Sequence, residues 1–334
     1  MKKTYALLMS ALLASVAFGA AAAQGDKPTA DPTANYPSKP ITLIVPFPAA
    51  NVSDMLARAM AEDVSQALRQ PIVIENKVGG SGSIGLSAAA RSAPDGYTWV
   101  IGTAGALITA PMTQKSLSFD PVKDFKPVTM MAPLPMLIVA RPDLPADTLA
   151  GLVKLARENP EKIDYASLGV GSFPHLAGEL LKTQAKVSLL HVPYKGSSQA
   201  ITDLLGGRVS IMFDTVPPAM AQIRAGKLKA LAITSAESSE VAPGVPPVSA
   251  TPKLDGYEAI SWTGLFVPAN TPDAIVQKIN SAVSQALAKP AIKKQFLDRG
   301  LELKTTTPEA FAEFIANERK KWSGIVEQAG LTPQ

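Results

Sequence analysis

Five short stretches of small and polar residues stand where an apolar run gives way to a helical pattern. They are Pro48-Ala49-Ala50-Asn51-Val52-Ser53, Gly79-Gly80-Ser81-Gly82-Ser83, Thr103-Ala104-Gly105, Gly169-Val170-Gly171-Ser172 and Lys195-Gly196-Ser197-Ser198. The first N–H groups of a helix lack intrahelical acceptors and carry partial positive charge, so glycine and serine there let an anion reach the backbone. Any one such loop is explained by ordinary capping and tight turning. Five in one chain point to a site in which main-chain donors grip a small anion without an arginine clamp. Phe47, Tyr194 and Phe213 end apolar runs beside these loops and could wall a pocket, although strand-end aromatics are commonly core. Asp54 and Asp214 divide similarly: each could hold a ligand donor, yet Asp54 also suits a helix cap and Asp214 a turn.

Other chemistries fit less well. Gly80-Ser81-Gly82-Ser83-Ile84-Gly85 matches G-x-G-x-x-G, but the following strand runs into Gly102-Thr103 rather than an acidic residue suited to a ribose. A hydrolase needs an activated nucleophile, and neither serine-rich loop has the G-x-S-x-G spacing. The two histidines are His175, at a helix start, and His191, inside an apolar strand where a packed, hydrogen-bonded ring is the commoner state. His175 and Glu179 lie one helical turn apart, but two ligands without a third make no metal site. No catalytic residue, metal or cofactor is expected.

The elements that must position these loops alternate. Strands are expected at 41–47, 71–75 and 97–102, with helices at 54–68 and 84–91. A second series has strands at 137–140, 164–168, 187–192, 209–213 and 228–234, with helices starting near Asp147, Ser172, Ser197 and Val216. A Pro-rich connection over 241–252 precedes a strand at 262–267, a helix after Thr271-Pro272, and a last helix over 308–329 that buries Phe311, Ile315, Trp322 and Val326. Such alternation predicts an α/β protein with largely parallel sheets.

The N-terminus carries Lys2 and Lys3, an apolar stretch over 5–18, and small residues ending Ala21-Ala22-Ala23. That order predicts a cleaved secretory signal peptide over 1–23, too short in its apolar core to serve as a membrane anchor. Residues 24–35 are polar and aperiodic and read as a flexible leader. With no cysteine, neither a lipid anchor nor a disulfide is available. Loss of two lysines lowers the formal charge from +4 to +2, so neither nucleic acid nor an acidic membrane surface is implied as a partner. About 310 residues remain, more than one core usually supports, which suggests two lobes.

Ordered motifs along the chain resemble the periplasmic receptors of tripartite tricarboxylate transporters, also called Bug proteins. They are Tyr36-Pro37-Ser38-Lys39-Pro40-Ile41-Thr42, Val45-Pro46-Phe47-Pro48-Ala49 with Asp54, Asn76-Lys77, Gly79 to Gly85, Pro94-Asp95-Gly96-Tyr97-Thr98 and Gly102-Thr103 in the first half. Gly169 to His175, Val192-Pro193-Tyr194-Lys195-Gly196, Phe213-Asp214, Ala225 to Ala232, Trp262-Thr263-Gly264-Leu265, Pro268 and Thr271-Pro272 continue the series.

The resemblance implies a two-lobed periplasmic-binding-protein type II fold with two crossovers at a hinge. Domain 1 would comprise 36–135 plus 257–334 and domain 2 would comprise 136–256, with the ligand cleft between them. It implies a monomeric periplasmic receptor, not an enzyme, that closes on a small organic carboxylate and presents it to the transporter's membrane subunits. A sensor feeding a signalling partner is the alternative. The ligand-binding residues expected are Phe47, Ala49, Ala50, Asn51, Asp54, Ser81, Gly82, Ser83 and Thr103 in domain 1, with Gly169, Gly171, Ser172, His175, Tyr194, Lys195, Gly196, Asp214 and Thr215 in domain 2. One departure is Ala50-Asn51, where the family usually has Gly-Gly. Either the pocket is reshaped, with Asn51 offered to the ligand, or Asn51 replaces a glycine in a left-handed conformation.

Overall fold

The computed structural model describes residues 33–114 and 116–331; the expected signal peptide over 1–23 and all but the last three residues of the expected leader lie outside them. Two five-stranded sheets organise the chain. The first is built from β1 (Ile41–Val45), β2 (Ile72–Asn76), β3 (Thr98–Thr103), β4 (Phe125–Leu134) and β10 (Ser261–Pro268), in the order β2-β1-β3-β10-β4. β5 (Met136–Ala140), β6 (Asp164–Ser167), β7 (Leu190–Pro193), β8 (Ile211–Thr215) and β9 (Lys229–Ile233) form the second, in the order β7-β6-β8-β5-β9. The chain crosses between sheets at Pro135 and again within 234–260.

Pairing directions explain why the sequence reads as parallel. In the first sheet β2, β1 and β3 are parallel, while β10 is antiparallel to both β3 and β4. In the second, β7, β6 and β8 are parallel, while β5 is antiparallel to both β8 and β9. Each sheet thus contains one reversed strand, and it is the first strand the chain enters after crossing. The reversed strands are not foreseen by the alternating pattern, which signals strand and helix but not direction.

Helices cover the sheet faces, so the inner strands are apolar on both sides. On the first sheet, α1 (Val52–Leu68) turns Leu56, Met60, Val64 and Leu68 onto a core shared with Leu43, Trp99, Ile279 and Val283, the last two from α8 (Asp273–Leu287). The remaining helices are α2 (Ser83–Ala90), α3 (Ala110–Thr113), α4 (Leu149–Glu158), α5 (Phe173–Ala185), α6 (Ser197–Leu205), α7 (Val216–Arg224), α9 (Pro290–Leu297) and α10 (Pro308–Gln328). Some elements depart from expectation. β4, α3 and α9 appear where none was expected, and β7 begins at Leu190 rather than near Val187.

α10 closes the first lobe but also reaches the second. Trp322 packs edge-on against Phe173 at the start of α5, with ring centroids 4.9 Å apart, and donates its indole N–H to the buried Glu318 carboxylate at 2.7 Å. Nearby, the Tyr257 hydroxyl donates to the Ala177 carbonyl of α5 at 2.9 Å. Phe311, Trp322 and Val326 are buried as expected, and Ile315 packs partly buried against the same core. Among the described residues no helix is long and apolar enough to cross a membrane.

Candidate functional site

In each sheet three adjacent parallel strands deliver their C-terminal ends to one edge. β2, β1 and β3 carry the loops at Gly79–Gly82, 46–51 and 104–105, and β7, β6 and β8 carry those at 194–196, 168–172 and 214–216. In open α/β sheets ligands bind outside that edge. Two juxtapositions bring the lobes together near these loops. A Cβ placed on Gly171 would lie 3.1 Å from Thr113 of α3. Val52 at the start of α1 and Thr215 at the start of α7 line one small cavity of about 140 Å³, whose floor includes Pro133, Leu134 and Pro135 of the crossover.

The loop after β1 is built around Asp54, which is 2% exposed. Asn51 caps α1, its Oδ1 accepting the Asp54 N–H at 3.0 Å, and the Asp54 Oδ2 accepts the Ala50 N–H at 2.9 Å. This reciprocal arrangement resembles a capping box. Asp54 Oδ2 also accepts from Arg58 Nε at 2.9 Å, and Oδ1 accepts from Asn76 Nδ2 at 2.9 Å. The same Asn76 amide donates to the Phe47 carbonyl at 3.1 Å, so the ends of β1 and β2 are tied together. The Arg58 guanidinium, helped by the Ala50 and Asn76 donors, holds the Asp54 carboxyl at about 2, below the ordinary carboxylate value. Both carboxylate oxygens are therefore committed to the loop. Sequence reasoning gave no role to Arg58 or Asn76; the Asp54–Arg58 spacing of four on a helix was the available signal for the first.

The departure at Ala50-Asn51 resolves in an unexpected way. Ala50, not Asn51, occupies the left-handed region, with φ of 66°, while Asn51 has φ of −78° and ψ of 172°. The reading that Asn51 replaces a left-handed glycine is thus corrected: the cap needs Asn51 extended, which shifts the turn to the preceding residue. The Asn51 Oδ1 is used by the cap, and its Nδ2 has no partner among the described residues. Ala49 is exposed at the loop tip.

The loop after β2 wraps against this one. Gly79, Gly80, Ser81 and Gly82 have consecutive positive φ values of 136°, 53°, 54° and 99° before Ser83 opens α2. These φ values turn the loop back on itself: the Gly79 carbonyl accepts the Gly82 N–H at 3.0 Å and the Gly80 carbonyl accepts the Ser83 N–H. Gly82 lies against the Phe47 ring, 3.3 Å separating Cζ from the position a Cβ would take. The hydroxyls of Ser81 and Ser83 have no hydrogen-bond partner among the described residues. Thr103 ends β3 and accepts the Ala106 N–H on Oγ1 at 3.3 Å, leading into a single π-helical turn over Gly105–Thr109. π-turns are rare and concentrate at functional sites.

In the second lobe, Ser172 caps α5, accepting the His175 N–H at 3.4 Å and donating its hydroxyl to the Gly169 carbonyl at 2.7 Å. Gly171 donates its N–H to His175 Nδ1 at 3.0 Å. His175 is 5% exposed, so it stands behind the loop. Tyr194 donates its hydroxyl to Asp203 of α6 at 3.0 Å, and Lys195 is exposed with its ammonium unpartnered among the described residues. Gly196 precedes α6 in extended backbone, with no atom within 4 Å of where a Cβ would stand. Asp214 is fully buried, taking the Ser197 hydroxyl at 2.6 Å and the Thr215 N–H at 2.8 Å; burial raises its carboxyl. Thr215 itself is exposed at the start of α7. Ser197 and Ser167, which fasten these loops, were not among the expected site residues. Ser197 bonds Asp214 of β8 and Ser167 meets His191 of β7, partners that no local spacing announces, although Ser167 also bonds Gly169 two residues on.

Comparisons with known proteins bear on the family and the fold. The family model described as tripartite tricarboxylate transporter family receptor matches residues 56–331. A protein of Pseudomonas sp. strain P51, named for the tcbD-tcbE intergenic region, is 35% identical over 296 residues, spanning 89% of this chain and 88% of its own. Among solved structures, R. palustris Rpa4515 with adipate is similar with a TM-score of 0.71 at 33% identity, over 90% of this chain and 100% of that one. MatC from Rhodopseudomonas palustris with bound malate gives 0.66 at 32% identity, over 87% and 100%. The chain belongs to the tripartite tricarboxylate transporter family of receptors.

Proposed function

We propose that this protein is an exported, monomeric periplasmic receptor that encloses a small organic carboxylate between its lobes and presents the closed form to the membrane subunits of a tripartite tricarboxylate-type transporter. The observation that carries the reading is the close approach of the lobes beside the crossovers, with Thr113 at the end of α3 near Gly171 and Val52 sharing a cavity with Thr215. The relatives with adipate and malate support a dicarboxylate as the ligand class. The candidate contacts are the expected set of residues given above, with Asp54, His175 and Asp214 acting through the loops they hold and the main-chain N–H groups facing the anion.

Binding energy then comes from donors fixed before the ligand arrives, so little ordering cost is incurred. Closure places the second set of donors on the carboxylate by rotation about Pro135 and the 234–260 connection, a hinge motion of ordinary type. The binding role requires neither cofactor nor chemical step.

A chain beginning at residue 24 is screened by thermal shift and calorimetry against malate, adipate, citrate and aromatic carboxylates. A ligand at about 100 times its dissociation constant raises stability by about 2.7 kcal/mol, because it binds only the folded state. Silence across the whole panel would overturn the proposal. Fractionation of cells expressing the full chain tests export: a shortened form is expected in the periplasm, and retention in the membrane would refute that part.

A further inference from the structure

The two histidines of the chain come from different elements and stack face to face. Their ring centroids are 3.8 Å apart, with planes inclined by 13°. His175 lies in the first turn of α5 and His191 on β7, beneath the loop that joins β6 to α5. Each ring is tied to that loop or its root. His175 Nδ1 accepts the Gly171 N–H at 3.0 Å, and His191 Nε2 lies 2.6 Å from the Ser167 hydroxyl, which itself bonds both the Gly169 carbonyl and the Gly169 N–H at 3.2 Å.

We infer that this stacked pair positions the Gly169–Ser172 loop in its ligand-receiving shape only while the His175 ring is uncharged, so that acid weakens carboxylate binding through the second lobe. The inference rests on the reading that the lobes enclose a carboxylate. Its basis is donor and acceptor accounting. Gly171 needs a lone pair on His175 Nδ1, which places the ring proton of neutral His175 on Nε2. A second proton would set two donors against each other at 3.0 Å and expel the loop from this arrangement.

The surroundings give an imidazolium little compensation. The groups facing the pair are the Tyr165 ring on β6, stacked on His191 at 5.0 Å, the Ser167 hydroxyl, and Glu179 and Lys182 on α5. Glu179 is the carboxylate within reach, its Oε1 3.8 Å from His175 Nε2, but it is already bound by Lys182 at 2.8 Å and by the Tyr165 hydroxyl at 2.7 Å. Burial lowers the proton affinity of both rings, and the neighbouring ring adds to this at His191, which falls to about 4.

The test compares the wild-type chain with a His175→Asn/His191→Gln double variant, in which an amide oxygen can replace Nδ1 as acceptor and neither replaced side chain titrates. Malate and adipate affinities are measured by calorimetry between pH 7.5 and 4.5, so that protonation of the ligand is common to both proteins. The wild type is expected to lose about tenfold more affinity than the variant, roughly the worth of one loop-anchoring hydrogen bond. Equal slopes with both proteins binding at pH 7.5 would overturn the inference and leave the receptor reading intact. Absence of binding at pH 7.5 would instead count against the receptor reading. The positioning claim is then decided in ligand-free wild type by NMR, which also serves if the variant does not fold. The Gly171 amide signal is expected to move with the histidine rings; a Gly171 signal that stays fixed while they titrate overturns the claim.

Discussion

Replacing Asp54 by alanine tests the idea that the first-lobe loop is held by a carboxylate rather than offering one to the ligand. The side chain of Asp54 is 2% exposed while that of Arg58 is 55% exposed, so the ion pair is one-sided. Removing the carboxylate leaves Arg58 and Asn76 free to hydrate, and the large penalty for stranding a buried charge does not arise. What is lost is the preference for the ionised form. Holding the carboxyl at about 2 instead of 3.8 contributes about 2 kcal/mol at neutral pH. The Ala50 and Asn76 tethers are part of that figure, since their donors help to hold the carboxyl low. For a chain of this size about 2 kcal/mol lowers Tm by roughly 3 °C.

The pH dependence has a definite sign. A depressed carboxyl stabilises fully above its unfolded value and loses that stabilisation as pH falls toward its folded value. The gap in Tm between wild type and Asp54→Ala should therefore be largest above pH 5 and narrow steadily from pH 4 downward. Adipate or malate affinity should fall by about tenfold, because loop donors must be ordered on binding. A Tm within about 1 °C of wild type, or a gap that ignores pH, would refute the scaffolding role. Abolished binding with an unchanged Tm would mean that Asp54 touches the ligand instead.

Ala50→Gly should stabilise the protein by up to about 1 kcal/mol in urea denaturation. The strain of a left-handed alanine, roughly 1–2 kcal/mol, exceeds the roughly 0.4–1 kcal/mol of unfolded-state entropy that glycine brings; a loss of stability would count against the φ of 66°. Gly85→Ala should destabilise by about 1–3 kcal/mol, since its Cβ would stand 2.9 Å from Pro46 Cβ and 3.0 Å from the Lys77 carbonyl. An unchanged denaturation midpoint would show that the two loops are not in contact. His191, lowered to about 4, should weaken folding by at most about 3 kcal/mol as pH falls from 6.5 through 4, because the unfolded chain takes up the proton first. His191→Gln should flatten that part of the stability profile, and an unaltered profile would place the titrating group elsewhere.

Helix starts were legible in the sequence because capping is local. Asn51, Ser172 and Thr307 each accept an N–H three residues ahead, and proline occupies the first turn of α5, α7 and α10. β4 was not legible for an equally physical reason. Phe125–Leu134 contains Pro127 and Pro133, which punctuate a sequence as turns, yet β4 is an edge strand, where a missing N–H is tolerated. β7 is the opposite edge case: Leu190 is exposed, so the apolar run before it overstated the strand. At Ala50-Asn51 the usual preference of asparagine for positive φ pointed to the wrong residue, because the cap at the next helix claimed Asn51.

In the second-lobe loops the expected site residues are tied into the lobe itself. Each of His175, Tyr194 and Asp214 belongs to a motif beside a helix start, and in each the functional atom turns back into the lobe: to Gly171, to Asp203, and to Ser197 with Thr215. Gly171 and Thr215 are local partners, but Asp203 and Ser197 lie 9 and 17 residues away in sequence, beyond the reach of local spacing. The consequence is a division of labour. On the proposed function, side chains shape the loops and main-chain groups are left for the ligand, an arrangement that would discriminate by the geometry of an anion more than by one dedicated charge. The same logic reaches across the hinge. Phe173 follows the Ser172 cap directly and packs on Trp322 of α10, so the helix that completes the first lobe also bears on the loop that the second lobe brings to the ligand. A shift of that seam during closure would therefore act on the donors themselves, and not only on the distance between lobes.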